Sequence, residues 1–210
     1  MSSRLPLLTP ADLTPTQHTV YEQIVGGPRA SGPSLFALTN DDGSLAGPFN
    51  ALLHAPDVGA ALSRLGEAIR YHTSLSDRIR EIAILAVAAH HRSDYEWYAH
   101  ERVGRHVGLS EAEIQRIRVL APIDGLAAGE QLAYTLCLEA LRERDVAETT
   151  YLDAVQALGQ TAVVELVSLL GYYEALALVL SVFRIPAPVE VEWPDPASVE
   201  VEWPDPASGG

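Results

Sequence analysis

Three side chains whose spacing could bring them together to move protons, Glu81, Glu96 and His100, fall in one stretch of twenty residues, EIAILAVAAHHRSDYEWYAH. Glu96 and His100 are four apart, so on a helix they share a face, one turn from each other. A turn at about Arg92 would fold that helix back on the one carrying Glu81. Two carboxylates and an imidazole would then meet among apolar side chains. Burial raises a carboxylate's pKa and lowers that of an isolated imidazole, and a neighbouring acid pushes the imidazole back up. Groups poised in this way suit general acid–base chemistry. The reading takes His100 as the acid/base, Glu81 as its partner and Glu96 as a second proton-handling group. Arg80 or Arg92 could hold a substrate carboxylate, and Ser93, Tyr95 and Trp97 are candidates for contact with substrate.

Purely structural explanations compete with each of these. Ser93 and Glu96 form a capping-box pattern, S-x-x-E, which would account for both. His100 could pair locally with Glu96 or Glu101, and Glu81 with Arg78 or Arg80. His90 and His91 are adjacent, and adjacent helical residues point ~100° apart, so both cannot easily grip one ion. Glu96 and His100 have metal-compatible spacing, but no third ligand is evident, and no metal or cofactor is assigned.

The elements that must position these groups read as helices throughout. Thr9-Pro10 and Thr14-Pro15 are helix-start signals, and Gln17 completes a capping box with Thr14. A helix through Val20–Val25 stops at Gly26-Gly27-Pro28, and residues 26–48 form a long loop rich in Gly, Pro, Ser and Asn. From Phe49 to His72 apolar residues recur every three or four positions, broken at Pro56. Ser76 caps the next helix, whose body IREIAILAVAAHH is apolar nearly all round and so belongs at the centre. A helix of mixed polarity from Ser93 ends at Gly108, and Ser110 and Glu113 box the next. Three more stretches follow at Glu130–Arg144, Thr149–Gly159 and Thr161–Phe183. The fold class is therefore all-α, a compact multi-helix bundle. Glu81 and Glu165 each open a long apolar helix, which hints at two related halves.

Composition narrows the function. The chain has 210 residues, of which 48% are apolar, enough for one domain with its own core. The net charge of -14 disfavours nucleic acid, which needs basic patches. Every base is arginine, so Schiff-base and P-loop lysines are excluded. Cys137 is the single cysteine, and it reads as a buried helix residue. The longest apolar stretches, near Ile82–Ala89 and Ala175–Val182, fall short of the ~20 residues of a membrane span. With no signal-peptide pattern at the start, the expectation is a cytoplasmic protein with no membrane partner. Residues 1–188 form the domain. The decapeptide VEVEWPDPAS occupies Val189–Ser198 and recurs unchanged at Val199–Ser208, making 189–210 a tail expected to be flexible.

The stretch from Glu81 to His100 resembles the alkylhydroperoxidase-D signature: a Glu, a CxxC beginning twelve residues later, and a His four beyond the second Cys. Glu81 and His100 match the relay Glu and His, while Ser93 and Glu96 stand at the two cysteine positions. GPFN and LLHAP within Gly47–Pro56, REIAIL at Arg80–Leu85, YEWYAH at Tyr95–His100, GLSEAEI at Gly108–Ile114 and LVSLLGYY at Leu166–Tyr173 add to the likeness. The chain is similar, over roughly residues 10–188, to the carboxymuconolactone decarboxylase / alkylhydroperoxidase-D-like superfamily, as a variant without the CxxC pair. The resemblance implies a helical fold, a homo-oligomer (trimer or hexamer) and a cofactor-independent enzyme acting on a small organic acid or lactone. The alternatives are a non-catalytic ligand-binding or assembly protein and, third, an alkylhydroperoxidase-like antioxidant. Peroxide reduction by thiol needs a nucleophilic and a resolving cysteine, which Ser93 and Glu96 do not supply.

Overall fold

In a computed structural model, residues 3–30 and 35–195 are described; the second copy of the repeat lies outside them. Nine α-helices are present among the described residues: α1 (Pro15–Val25), α2 (Pro48–Leu53), α3 (Pro56–Tyr71), α4 (Asp77–His91), α5 (Asp94–His106), α6 (Glu111–Arg118), α7 (Ala128–Glu143), α8 (Glu148–Leu158) and α9 (Gln160–Val182). The expected all-α class is what the chain adopts. Among the described residues the β pairing consists of one isolated bridge, Thr39 to Leu45, within the loop before α2.

The starts follow local chemistry. Thr14 and Gln17 form the capping box of α1, and Ser110 and Glu113 that of α6. Ser76 accepts from the Ile79 N–H at the head of α4. Pro48 and Pro56 occupy the first helical positions of α2 and α3, where a missing N–H costs nothing. Gly159, at φ 87°, separates α8 from α9 in a conformation that side chains resist.

Helix α4 runs through the centre, packed against α5, α6, α7 and α9. Every residue from Ile82 to Ala88 on it is fully buried. Each large aliphatic side chain so placed contributes roughly 1.5–3 kcal/mol of transfer free energy. Arg78 ties the neighbours together, donating to Glu113 on α6 and Glu130 on α7, both at 2.7 Å. A second apolar cluster, Val20, Ile24, Leu45, Phe49, Leu52 and Leu53, joins α1 and α2 to the loop between them.

Two expectations change here. α9 is by length and composition able to cross a membrane, although Glu165 and Glu174 interrupt its apolar runs; half of its most apolar window is buried inside the structure. The echo of Glu81 in Glu165 does not extend to their surroundings. Glu165 is half-exposed and accepts from the Ser74 N–H and hydroxyl at 2.8 and 2.7 Å, whereas Glu81 is buried.

Candidate active site

The turn between α4 and α5 sets the site. Arg92 ends α4 in the left-handed conformation (φ 49°, ψ 47°), with its N–H bonded to the Ala88 and Ala89 carbonyls. The chain reverses there and α5 lies back along α4. His100 Nδ1–H then donates to Glu81 Oε2 at 2.7 Å, with side-chain exposures of 6% and 3%. The local pairings considered for these two residues do not form: Arg78 is held by Glu113 and Glu130, and Arg80 by Asp77.

Turning His100 inward also turns Glu96 inward, because the two share a face of α5. The Ser93–Glu96 capping box is therefore not made. Ser93 occupies the N-cap without a side-chain bond, and its hydroxyl and both Glu96 oxygens are buried with no hydrogen-bond partner in the protein. Leaving such groups unpaired is costly. Both oxygens of this carboxyl are left for water, a ligand or the group's own proton to satisfy.

Glu81, Glu96 and His100 line one cavity of about 870 Å³. Its walls include Tyr95 from α5, Tyr172 and Tyr173 from α9, Arg70 from α3 and Phe36 from the loop before α2. Tyr173 meets the imidazole edge-on at 5.2 Å, and Phe36 lies 6.4 Å from it. Two glycines allow these approaches. A Cβ on Gly47 would stand 2.3 Å from the Tyr95 ring, and one on Gly66 would stand 2.1 Å from the Tyr172 hydroxyl.

The charges separate by environment. Burial alone would raise Glu81, but His100, Arg70 and Arg80 outweigh it and hold the carboxyl below its usual range. Burial pushes His100 down, against the pull of Glu81, and Arg70 pushes the same way. Burial raises Glu96 well above the usual range, with only the nearby Ser93 hydroxyl opposing. These shifts favour the ionised form of Glu81, the neutral form of His100, whose Nε2 lone pair is then its base, and the protonated form of Glu96. An acid and a base whose environments drive their pKa values apart mark acid–base sites.

The residues singled out by sequence divide as follows. Glu81, Glu96, His100, Tyr95 and Arg80 reach the cavity. Arg80 is at its edge, engaged by Asp77 and the Leu75 carbonyl. Arg92, Ser93 and Trp97 do not line it. Arg92 donates to the Pro194 carbonyl, and Trp97 packs edge-on against Trp193. Sequence reading missed Arg70 and Phe36, and it singled out Tyr172 and Tyr173 only as part of the LVSLLGYY likeness. Arg70 has a covered Nε without a hydrogen-bond partner, and Tyr173 lies beside its guanidinium. In sequence it is one more arginine in the last turn of an amphipathic helix.

Cys137 is buried in α7, away from the cavity, and burial pushes its thiol up. Among the described residues no three of His, Cys, Asp and Glu are grouped as metal ligands.

The all-helical architecture is shared with known proteins. Residues 56–134 match the carboxymuconolactone decarboxylase family. A peroxidase-related protein with the alkylhydroperoxidase AhpD core from Ralstonia eutropha JMP134 superposes with a TM-score of 0.69, at 14% identity over 88% of this chain and 92% of that one. An Agrobacterium tumefaciens protein of unknown function gives 0.61 at 16% identity, over 69% and 99%. The debrominase Bmp8 gives 0.65 at 10% identity, over 86% and 90%, and a cysteine-to-alanine variant of it was solved with 2,3,4-tribromopyrrole. No curated protein matches the chain significantly. The match over residues 56–134 and the shared helical fold are what a resemblance to the carboxymuconolactone decarboxylase / alkylhydroperoxidase-D-like superfamily implies.

Proposed function

We propose that the chain is a cofactor-independent acid–base enzyme that decarboxylates, opens, isomerises or cyclises a small organic acid or lactone. The observation that carries this is the 2.7 Å His100–Glu81 bond beside an unpartnered Glu96 carboxyl in one cavity. Glu81 holds the imidazole with Nδ1 protonated, which leaves Nε2 as the base. Glu96 supplies a proton. Arg70, which lines the cavity, stabilises a developing oxyanion or holds a substrate anion.

In a decarboxylation, the bond to the leaving carboxylate breaks and its electron pair passes into a conjugated carbonyl, whose oxygen gains charge beside Arg70. Glu96 then delivers its proton to the carbon, carbon dioxide departs, and solvent returns a proton to Glu96. In an isomerisation, His100 Nε2 takes a proton from carbon, Glu96 gives one at another atom, and exchange through solvent returns the imidazole's extra proton to Glu96. Thiol-dependent dehalogenation or peroxide reduction is not proposed, since no cysteine lines the cavity. The reading extends to a cytoplasmic homo-oligomer. Val164, Val167, Leu178 and Val182 leave an apolar stripe exposed along α9, and such faces mark association surfaces.

The test is a panel of carboxylated lactones and β-keto acids, followed by ultraviolet absorbance and carbon dioxide release. Turnover that disappears in His100→Ala supports the reading. Turnover indifferent to His100, Glu81 and Glu96 together overturns it.

A further inference from the structure

The duplicated decapeptide has no part in the chemistry above, yet residues 191–194 of its first copy are seated. Val191 and Trp193 pack against the main core. The Trp193 indole N–H donates to Asp94 Oδ1 at 2.6 Å, and its ring meets Trp97 edge-on at 5.4 Å. The Arg118 guanidinium faces both rings, 5.4 Å from Trp97 and 5.7 Å from Trp193, and donates to the Glu192 carbonyl. Arg92 donates to the Pro194 carbonyl at 2.9 Å. The body thus reads a valine, a tryptophan and two specific carbonyls in a Val-Glu-Trp-Pro segment. All of these recur ten residues later in Val201, Glu202, Trp203 and Pro204.

We propose that the cleft bounded by Arg92, Asp94, Trp97 and Arg118 is a recognition site for the Val-Glu-Trp-Pro segment, and that the second copy, Val199–Ser208, is its second ligand, exchanging with the first on the same chain. The two copies have the same sequence and so carry the same groups, and they differ in the chain that each must loop out. Seating the second copy adds ten residues to that loop. Closure cost rises slowly with length, which favours the first copy by roughly several-fold and no more. Both copies are tethered, so either faces the cleft at a high effective concentration. Asp94 opens α5, the helix of Glu96 and His100, and Arg92 is the turn before it. Whichever copy is docked therefore also braces the turn that positions the candidate active site.

The experiment uses the full chain with nitrogen-15 in its three tryptophans. In Trp203→Ala, the Trp193 indole signal defines the docked position and its slow exchange with solvent. In Trp193→Ala, the Trp203 signal is expected to move to that position and gain the same protection. In the double variant, a synthetic VEVEWPDPAS peptide is expected to shift the Trp97 indole signal saturably. A Trp203 signal unchanged by Trp193→Ala, together with no response to millimolar peptide, overturns the proposal. A Trp203 shift that grows with protein concentration places the second copy on a neighbouring chain and overturns exchange within one chain. Neither readout depends on catalysis.

Discussion

His100 Nδ1 and Glu81 Oε2 meet at 2.7 Å across two helices, nineteen residues apart in the chain, and both side chains are almost completely buried. An ionised carboxylate in that position fixes the tautomer and orientation of the ring. The two should titrate as one coupled pair, with apparent pKa values that belong to the pair. Once a substrate is found, His100→Ala should lower kcat by roughly 10²–10⁴-fold, the usual contribution of one acid–base group. Glu81→Gln should act in the same direction while keeping the shape. Steady-state kinetics on both variants checks this.

Ser93→Ala should cost no stability. A cap bond would be worth ~1 kcal/mol, but none is made here, and the hydroxyl is buried and unpartnered. The expected change is neutral to stabilising, by up to ~1 kcal/mol, because a buried unpaired hydroxyl is removed, with activity kept. A chemical-denaturation midpoint comparison tests it, and a loss of more than ~1 kcal/mol would restore the capping role.

Glu96 should make stability fall as pH rises. Its folded pKa lies well above its unfolded value, so between the two the folded state binds the extra proton. The stabilisation is complete below the unfolded pKa and is lost as pH climbs through the folded one. Glu96→Gln removes that dependence, so its melting temperature should gain on the parent's progressively from about pH 4.5 upward. The pH–rate profile should lose its alkaline limb in the same variant, because the limb reports loss of the Glu96 proton.

Organic peroxides should not be reduced in a dithiol-dependent way above the level of Cys137→Ala. The only thiol is buried in α7, and burial pushes its pKa up. Robust turnover abolished in that variant would overturn the acid–base reading.

Association should depend on α9. Leu178→Glu or Val167→Glu places a charge on the exposed apolar stripe and should release monomers from a trimer or hexamer. Light scattering showing the parent as a stable monomer at micromolar concentration would remove this expectation.

Local sequence determined the helices because their signals are local. Thr14-Pro15, Ser76 and the Ser110–Glu113 box each satisfy N–H groups within four residues of themselves. The apolar run Ile82–Ala89 could only be a central helix. Glu81, Glu96 and His100 were legible as a set because their spacing fits two helices joined by a tight turn. The rotation of α5 was not legible. Ser93 and Glu96 satisfy a capping pattern in sequence, and only the pairing of His100 with Glu81 across the hairpin turns Glu96 inward and breaks it. Arg70, Phe36, Tyr172 and Tyr173 reach the cavity from three other segments, and no spacing along the chain records that approach. The seat of the first tail copy was equally hidden, because its partners Asp94, Trp97 and Arg118 lie about 75–100 residues upstream. Local hydrogen bonding decides where helices begin, whereas which faces meet depends on packing the whole apolar surface at once, and that is a property of the folded chain.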